Sequence, residues 1–496
     1  MRFVKLICLV LALCMLGGVL ASCGSEKQDP AETKTQPSGE SQTNPGDAKE
    51  SETEGSSYVP TDLPLEDFGD EEFLILSSDR GLFVTCETKD WTGDLIEDAL
   101  FKNTSMIEET YKVSIIYEEA GSDATMAKTL ETAVSGGESA YSMSIGHDYL
   151  TLSNALKGYY LDLAPMEEFE FEKPWWPANN VKALTIHDRL FCASSFLSYT
   201  ALSYARMVTV NKTIADDLSI EIPYAQVKRG DWYYEDLIDL ASRAYNDANG
   251  NGEFEEGDRM GIIMGNQSAY TLQRAADVQP ILKDSDDTPY YELDLGRALE
   301  FVSAFEELFE NGVIFDGKNP QFETNGHIEF FASGNSLFCI MELKDVYKTL
   351  RGYRDIVYGY LSTPKLDEQQ KKYINGCTDC YWGIPSTAQA KQHMIATIIE
   401  LLSCENYNYV LPAFYESTMQ AKLSESPDDK EMLDIIRDTV ALSFAYSYSG
   451  ALGGIDVSLA QVTNATSGTL ASYIETNGSK LETSLTELVQ KFDSLD

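Results

Sequence analysis

Along the chain, apolar positions switch between two periods. EFLILSS at 72–78, VSIIYEE at 113–119 and YSMSIG at 141–146 are short runs with strand character, and 94–110 and 124–134 carry helical spacing between them. The same grammar resumes with a strand RMVTVNK at 206–212, a helix at 235–246 and a strand RMGIIMG at 259–265. A helix at 296–311 would place Leu299, Val302, Phe305 and Leu308 on one core face. Strands come next at 336–343 (SLFCIMEL) and 356–364 (IVYGYLSTP), then helices near 389–403, 428–440 and 481–492. Strands alternating with helices predict an α/β fold with largely parallel sheets, and the length suits two lobes.

The amino end obeys other rules. Arg2 and Lys5 precede an apolar run too short and wrongly flanked for a permanent membrane span, which predicts a secretory signal over 1–22. Leu20, Ala21, Ser22 and Cys23 resemble the bacterial lipobox, so Cys23 is the expected lipidation site and the first mature residue. From Gly24 to Pro60 the composition is almost wholly polar, and over 23–64 the lipidated Cys23 and a disordered linker are expected. A flexible tether of that length spans about 30–35 Å.

Formal charge is −43, and loss of Arg2 and Lys5 with the leader makes it −45. Such a field disfavours nucleic acid and anionic lipid as partners, which leaves acyl chains as the expected membrane attachment. Among the cysteines, Cys192 and Cys339 lie in apolar runs and read as buried thiols. Cys377 and Cys380 in CTDC have redox or metal spacing, with a local disulfide or two thiols favoured over zinc for want of further ligands.

DANGNGEFEEGD, 247–258, has the spacing of a calcium loop. Asp247, Asn249, Asn251 and Asp258 fall at positions one, three, five and twelve, with Gly252 at the sharp turn. Glu253 could add its carbonyl and Glu255 a direct or water-mediated contact. Asp in place of Glu at position twelve and a strand instead of a second helix argue for a structural Ca2+ clip, not a sensor.

The order of several pieces resembles the extracellular solute-binding proteins of bacterial ABC importers, family 1, oligosaccharide-binding type. These are the lipobox and tether, DWTGDLIEDALFKNTSMIEETYKVSI, EKPWWPANN, SYARMVTVNKTI, DWYYEDLIDLA, the calcium-like loop before RMGI, and LSTPKLDEQQKKY before WGIPST. The resemblance implies a two-lobe periplasmic-binding-protein-like (type II) fold with crossing hinge strands and a central ligand cleft. It implies an N-terminal lobe from 65–200 plus 382–430 and a C-terminal lobe from 201–381 plus 431–496. Crossings are expected near Ser195–Tyr204, near Cys380–Ser386 and around 425–445.

The resemblance further implies capture of a small solute, a sugar by expectation, with lobe closure recognised by an ABC permease. The protein would be a monomer, lipid-anchored on the extracellular face of the cytoplasmic membrane. Open α/β sheets bind ligands at the carboxyl ends of their strands. That rule selects Ser78, Asp79 and Arg80 after the first strand and, more strongly, His147, Asp148 and Tyr149 after the third. Trp382 beside a crossing is the expected stacking ring, with Glu342 and Tyr199 as further contacts; Trp175 and Trp176 are either a sugar platform or a rigid corner. No catalytic residue is expected: HExxH, GxSxG and the phosphate-binding GxxxxGK(S/T) do not occur. A secreted carbohydrate-active enzyme and an accessory sensor presenting ligand to a membrane kinase are the rival functions.

Overall fold

The computed structural model describes residues 58–78, 90–251, 254, 257–265, 268–310, 313–316, 326–420, 426–454 and 467–495. The leader, Cys23, Cys86, Asp79, Arg80, Gly252, Glu253 and Glu255 lie outside the described residues. Thirteen strands are described: β1 (Glu71–Ser77), β2 (Val113–Glu119), β3 (Met143–His147), β4 (Arg206–Asn211), β5 (Met260–Met264), β6 (Ile281–Lys283), β7 (Pro289–Tyr291), β8 (Ile314–Asp316), β9 (Ser336–Glu342), β10 (Tyr358–Leu361), β11 (Asn375–Gly376), β12 (Cys380–Gly383) and β13 (Val440–Ala441).

Two larger sheets organise the fold. The first has the order β12-β3-β1-β2, with β1 parallel to β2 and β3 and only β12 antiparallel. The second has the order β10-β4-β9-β5-β8, with β5 parallel to β8 and β9. Helices cover the sheets, so the inner strands are buried without alternation: every residue of β4 and β5 is buried. Phe73, Ile75, Met143 and Ile145 centre one core, and Met207, Val208, Ile262 and Phe338 centre the other.

The helix Leu95–Tyr111 shows how local sequence sets these elements. Asp94 caps it by accepting from the amides of Ile96 (2.9 Å) and Glu97 (3.2 Å), and Lys112 ends it in the left-handed region at φ 53°. Ile96, Leu100, Asn103, Ile107 and Tyr111 form its buried stripe. In the helix Leu295–Glu310 the stripe is turned from expectation: Ala298, Phe301, Val302, Phe305 and Leu308 are buried, whereas Leu299 is exposed on the flank.

The chain passes between the cores more often than the sequence suggested. It leaves the first after Leu197, enters the second at Leu202, and returns between β10 and β12 through β11. Cys380–Gly383 is therefore a strand of the first sheet, and the crossing precedes it. A continuous helical stretch then carries it out again: Cys404 belongs to the first core, and Val410, Leu411 and Phe414 to the second. The wide turn Asn406–Val410 within that stretch is π-helical. There Asn406 accepts from Asn103 Nδ2 (3.1 Å) and donates to the Leu197 carbonyl (2.9 Å), fixing the helix to the start of the first crossing.

β13 makes the expected late crossing, pairing in parallel with β11. Arg274, nearly fully buried, donates to Cys377 O (3.3 Å) and Ala441 O (2.6 Å), one carbonyl from each crossing segment. The segment after β13 corrects the boundary that places 431–496 in the second lobe. Phe444, Tyr448 and Leu452 pack in the first core, and the helix Ser467–Asp493 runs from Leu470 in the second core to Leu481, Leu485, Leu488 and Phe492 in the first. The linker also ends earlier than residue 64: Tyr58 Oη donates to Glu405 (2.6 Å), and Val59 N donates to Asn408 Oδ1 (2.9 Å).

Candidate functional site

The carboxyl-end edges of both sheets collect polar groups, as strand polarity requires. On the first sheet, Ser78 comes directly after β1 and is fully buried; His147 ends β3 and is partly exposed. The His147 ring meets Tyr149 edge to face at 4.8 Å, and Tyr149 is 43% exposed, enough to receive a ligand. Asp148 opens the helix Asp148–Ala155 between them.

On the second sheet, β9 ends at Glu342, whose carboxylate meets Arg206 Nη2 at 2.9 Å and is also paired with Lys344. Lys344 Nζ lies 3.5 Å from the centre of the Tyr204 ring. Glu342 thus stands in a charged cluster at the sheet edge, already engaged with two cations. Beneath it Asp345 accepts from the Glu342 amide (2.9 Å), and burial, aided by the Glu342 charge, pushes its carboxyl up to about 6. His327 packs against Gly265, where a Cβ would stand 2.9 Å from its Cε1, and burial lowers the imidazole to about 4, so it is neutral at pH 7. Arg206 was missed in the sequence because β4 reads only as an apolar run, and Lys344 because it follows β9 in the helix Leu343–Lys348.

The aromatic expectations need correction. Trp382 is fully buried: its ring packs 5.8 Å from both Phe169 and Trp176, and its Nε1 donates to Ser195 Oγ at 3.3 Å. With no ring face exposed, it cannot stack on a solute here. Trp175 and Trp176 are the rigid corner and not the platform: both are buried and both indoles donate to Glu400, at 2.7 and 2.9 Å. Tyr199 packs on Phe414 at 5.3 Å and is mostly buried, which holds its phenol well above its usual range. Of the five tryptophans only Trp91 is exposed, at 62%, edge-on to Phe101 at 5.6 Å. It stands three residues before Asp94, which accepts from Tyr347 Oη of the second lobe (2.9 Å), so Trp91 lies where the lobes meet.

In the 247–258 loop, Asn246 and Arg259 pair as an antiparallel bridge that closes the base. Asp247 accepts from Gly250 N (2.6 Å), Asn249 from Asn251 N (3.0 Å) and Asp258 from Ala248 N (2.8 Å). Each bond draws the loop backbone toward a side-chain oxygen, the donor type that a hard cation prefers. Among the described residues no group of three or more His, Cys, Asp or Glu converges as a metal site would require. Cys377 and Cys380 are buried thiols, not a disulfide.

A cavity of about 490 Å³ opens beside the first and last crossings. Its walls include Asn180, Ser194 and Ser195 from the first lobe, Leu202 and Leu411 from the second, and Arg437 and Asp438 ahead of β13.

Neither a protein-family profile nor a curated protein matches the chain in sequence. Solved structures do. UspC from M. tuberculosis is 11% identical over 83% of this chain and 100% of its own, with a TM-score of 0.56. A sugar transporter from Rhizobium etli in an open conformation is 15% identical over 86% and 100%, with a TM-score of 0.53. An ABC substrate-binding protein from Listeria monocytogenes, in complex with cycloalternan, is 13% identical over 86% and 100%, with a TM-score of 0.51. With these likenesses and the crossing connectivity together, the chain has the two-lobed α/β fold of the solute-binding proteins.

Proposed function

We propose that this chain is the substrate-capturing subunit of an ABC importer, binding a neutral sugar or oligosaccharide between its lobes and presenting the closed form to a membrane permease. The observation that carries the reading is the pair of sheets with polar carboxyl-end edges, joined by crossings that permit hinge motion. Sugar binders named among the structural neighbours support the ligand class. A ligand touching Tyr149 on one side and the Arg206–Glu342–Lys344 cluster on the other stabilises closure by its differential affinity for the closed form. Recognition alone is required, so no catalytic role is assigned. Attachment to the outer face of the membrane is by lipid on Cys23; no helix among the described residues is long and apolar enough to cross a membrane.

Calorimetric screening of oligosaccharides, peptides and polyamines tests the proposal. Binding of a sugar, recovered uncut, is the expected outcome; cleavage, or binding of a peptide alone, would overturn it. With the sugar found, Trp91→Ala and Tyr149→Ala are each expected to weaken binding by about 1–3 kcal/mol, the worth of a stacking ring. Unchanged affinity in both would remove these rings from the site.

The reading includes a structural calcium ion, for which Asp247, Asn249, Asn251 and Asp258 are the proposed ligands among the described residues, and Glu253 and Glu255 the further candidates by spacing. Its role is to pin the helix-to-strand connection before β5. Saturating calcium should raise the thermal midpoint by about 2–5 °C over an EGTA-treated sample. Asp247→Ala should abolish the difference; equal midpoints in the native protein would dismiss the ion.

A further inference from the structure

We propose that the β6–β7 hairpin is a strap between the lobes: rooted in the second and seated on the first, it holds them at the angle seen here and must lift from its seat for them to turn. The inference rests on the two-lobed fold and not on the sugar reading, since it concerns the unliganded protein.

The root leaves no slack. Val278 is buried in the second core and Leu293 packs against that core, whereas Ile281 is buried in the first core and Tyr291 packs against it. Only Gln279 and Pro280 separate the two cores on the outward run and only Glu292 on the return, and a residue spans about 3.5 Å at most. The base is closed as well: Glu292 N donates to Pro280 O at 3.1 Å, and Ile281, Leu282 and Lys283 pair antiparallel with Tyr291, Tyr290 and Pro289. A hairpin of two three-residue strands is marginal alone in water, so its order depends on what it is seated on.

The seat is made by the first lobe. Lys283 Nζ donates to the carbonyls of Lys182 and Thr185 at the end of the helix Ala178–Leu184, where backbone carbonyls have no partner within the helix. The same ammonium lies 5.2 Å from the centre of the Phe444 ring, and burial lowers it to about 8, as befits a charge taken out of water. At the tip, Asp284 Oδ1 accepts from the amides of Asp286 and Thr288, both at 2.9 Å, and Thr288 Oγ1 meets His187 Nε2 at 3.1 Å. His187 stands in the turn closed by the Ile186–Arg189 bridge, and its Nδ1 meets Asp493 Oδ1 at 2.7 Å. The imidazole thus ties the tip of the strap to the end of the last helix. Tyr291 comes against that helix too: a Cβ at Gly478 would stand 3.6 Å from Tyr291 Cε1.

These contacts constrain motion. Rotation about the crossings carries the seat away from the root, and one or two residues of chain cannot absorb a large displacement. The contacts therefore belong to one range of lobe angles and stabilise it, and a solute that favours another angle works against them.

Pulsed electron resonance on the unliganded protein tests the strap, with nitroxides on keto amino acids placed at the exposed Lys128 in the first lobe and Asp239 in the second. Lys283→Met together with Thr288→Val removes the polar anchors, and Ile281→Asp expels the strap from the first core. In each, the strap amides should exchange with deuterium about tenfold faster while those of β1 and β9 keep native protection, and the distance distribution should broaden about twofold. A native-width distribution in a variant whose strap amides exchange freely would overturn the inference. Strap amides as protected as in the native protein in both variants would overturn it equally. If Ile281→Asp unfolds, which lost protection in β1 and β9 reports, the double variant decides.

Discussion

Trp382→Ala is expected to lower folding stability by about 3–5 kcal/mol, the usual cost of truncating a fully buried large aromatic. Urea denaturation checks it, and the loss should appear in the unliganded protein. The ring fills space between β12 and the Phe169–Trp176 cluster, and its removal also takes the indole donor from Ser195. Ser195 keeps its bond to Ser403, so most of the cost is the void itself. Trp382→Phe, which keeps a ring but not the indole nitrogen, should recover more than half of the loss. A wild-type-like midpoint for the alanine variant would mean that the ring is not packed as described.

Trp382 also shows where the sequence stops being legible. Strand periods located seven of the nine strands of the two sheets within a few residues, because apolar spacing is a local property: β2 falls at 113–119 as expected, and β4 and β9 differ by one residue at one end, whereas β8 was not foreseen and β12 was expected as a crossing. What lies on the two faces of a short strand is not local. β12 is covered by the bridge from Ala193 on its outer edge and by β3 on the other, and neither neighbour is close in sequence. The same distance hid Arg206, which gains its meaning only when β4 runs antiparallel to β9 and brings it to Glu342. It hid the return of the chain's last helix to the first core as well, since its stripe of Leu481, Leu485, Leu488 and Phe492 suits either lobe. The place of Tyr149 just past the end of β3 was readable because strand polarity alone sets it.

Glu400 carries the second large effect. It is an isolated acid in the apolar helical run ATIIELLS, a local signal of a committed polar contact, and it has no exposed surface. Burial is the main influence and pushes its carboxyl up to about 7 against an ordinary value of 4.5; the Trp175 and Trp176 donors hold it from rising further. The folded state therefore binds this proton more tightly than the unfolded state does. The resulting stabilisation is full below about pH 4.5, declines as pH rises through 7, and is flat above, an overall loss of about 3 kcal/mol. Glu400→Gln should remove that slope, so the stability difference between native and variant narrows between about pH 5 and pH 7 as measured by urea midpoints. Glu400→Ala strands two buried indole N–H groups and opens a void beside them, at a cost of about 3–5 kcal/mol. Parallel pH profiles for native protein and the glutamine variant would show that Glu400 does not titrate in this range. The tryptophan pair would still need its acceptor, and the alanine variant alone would then report the worth of the corner.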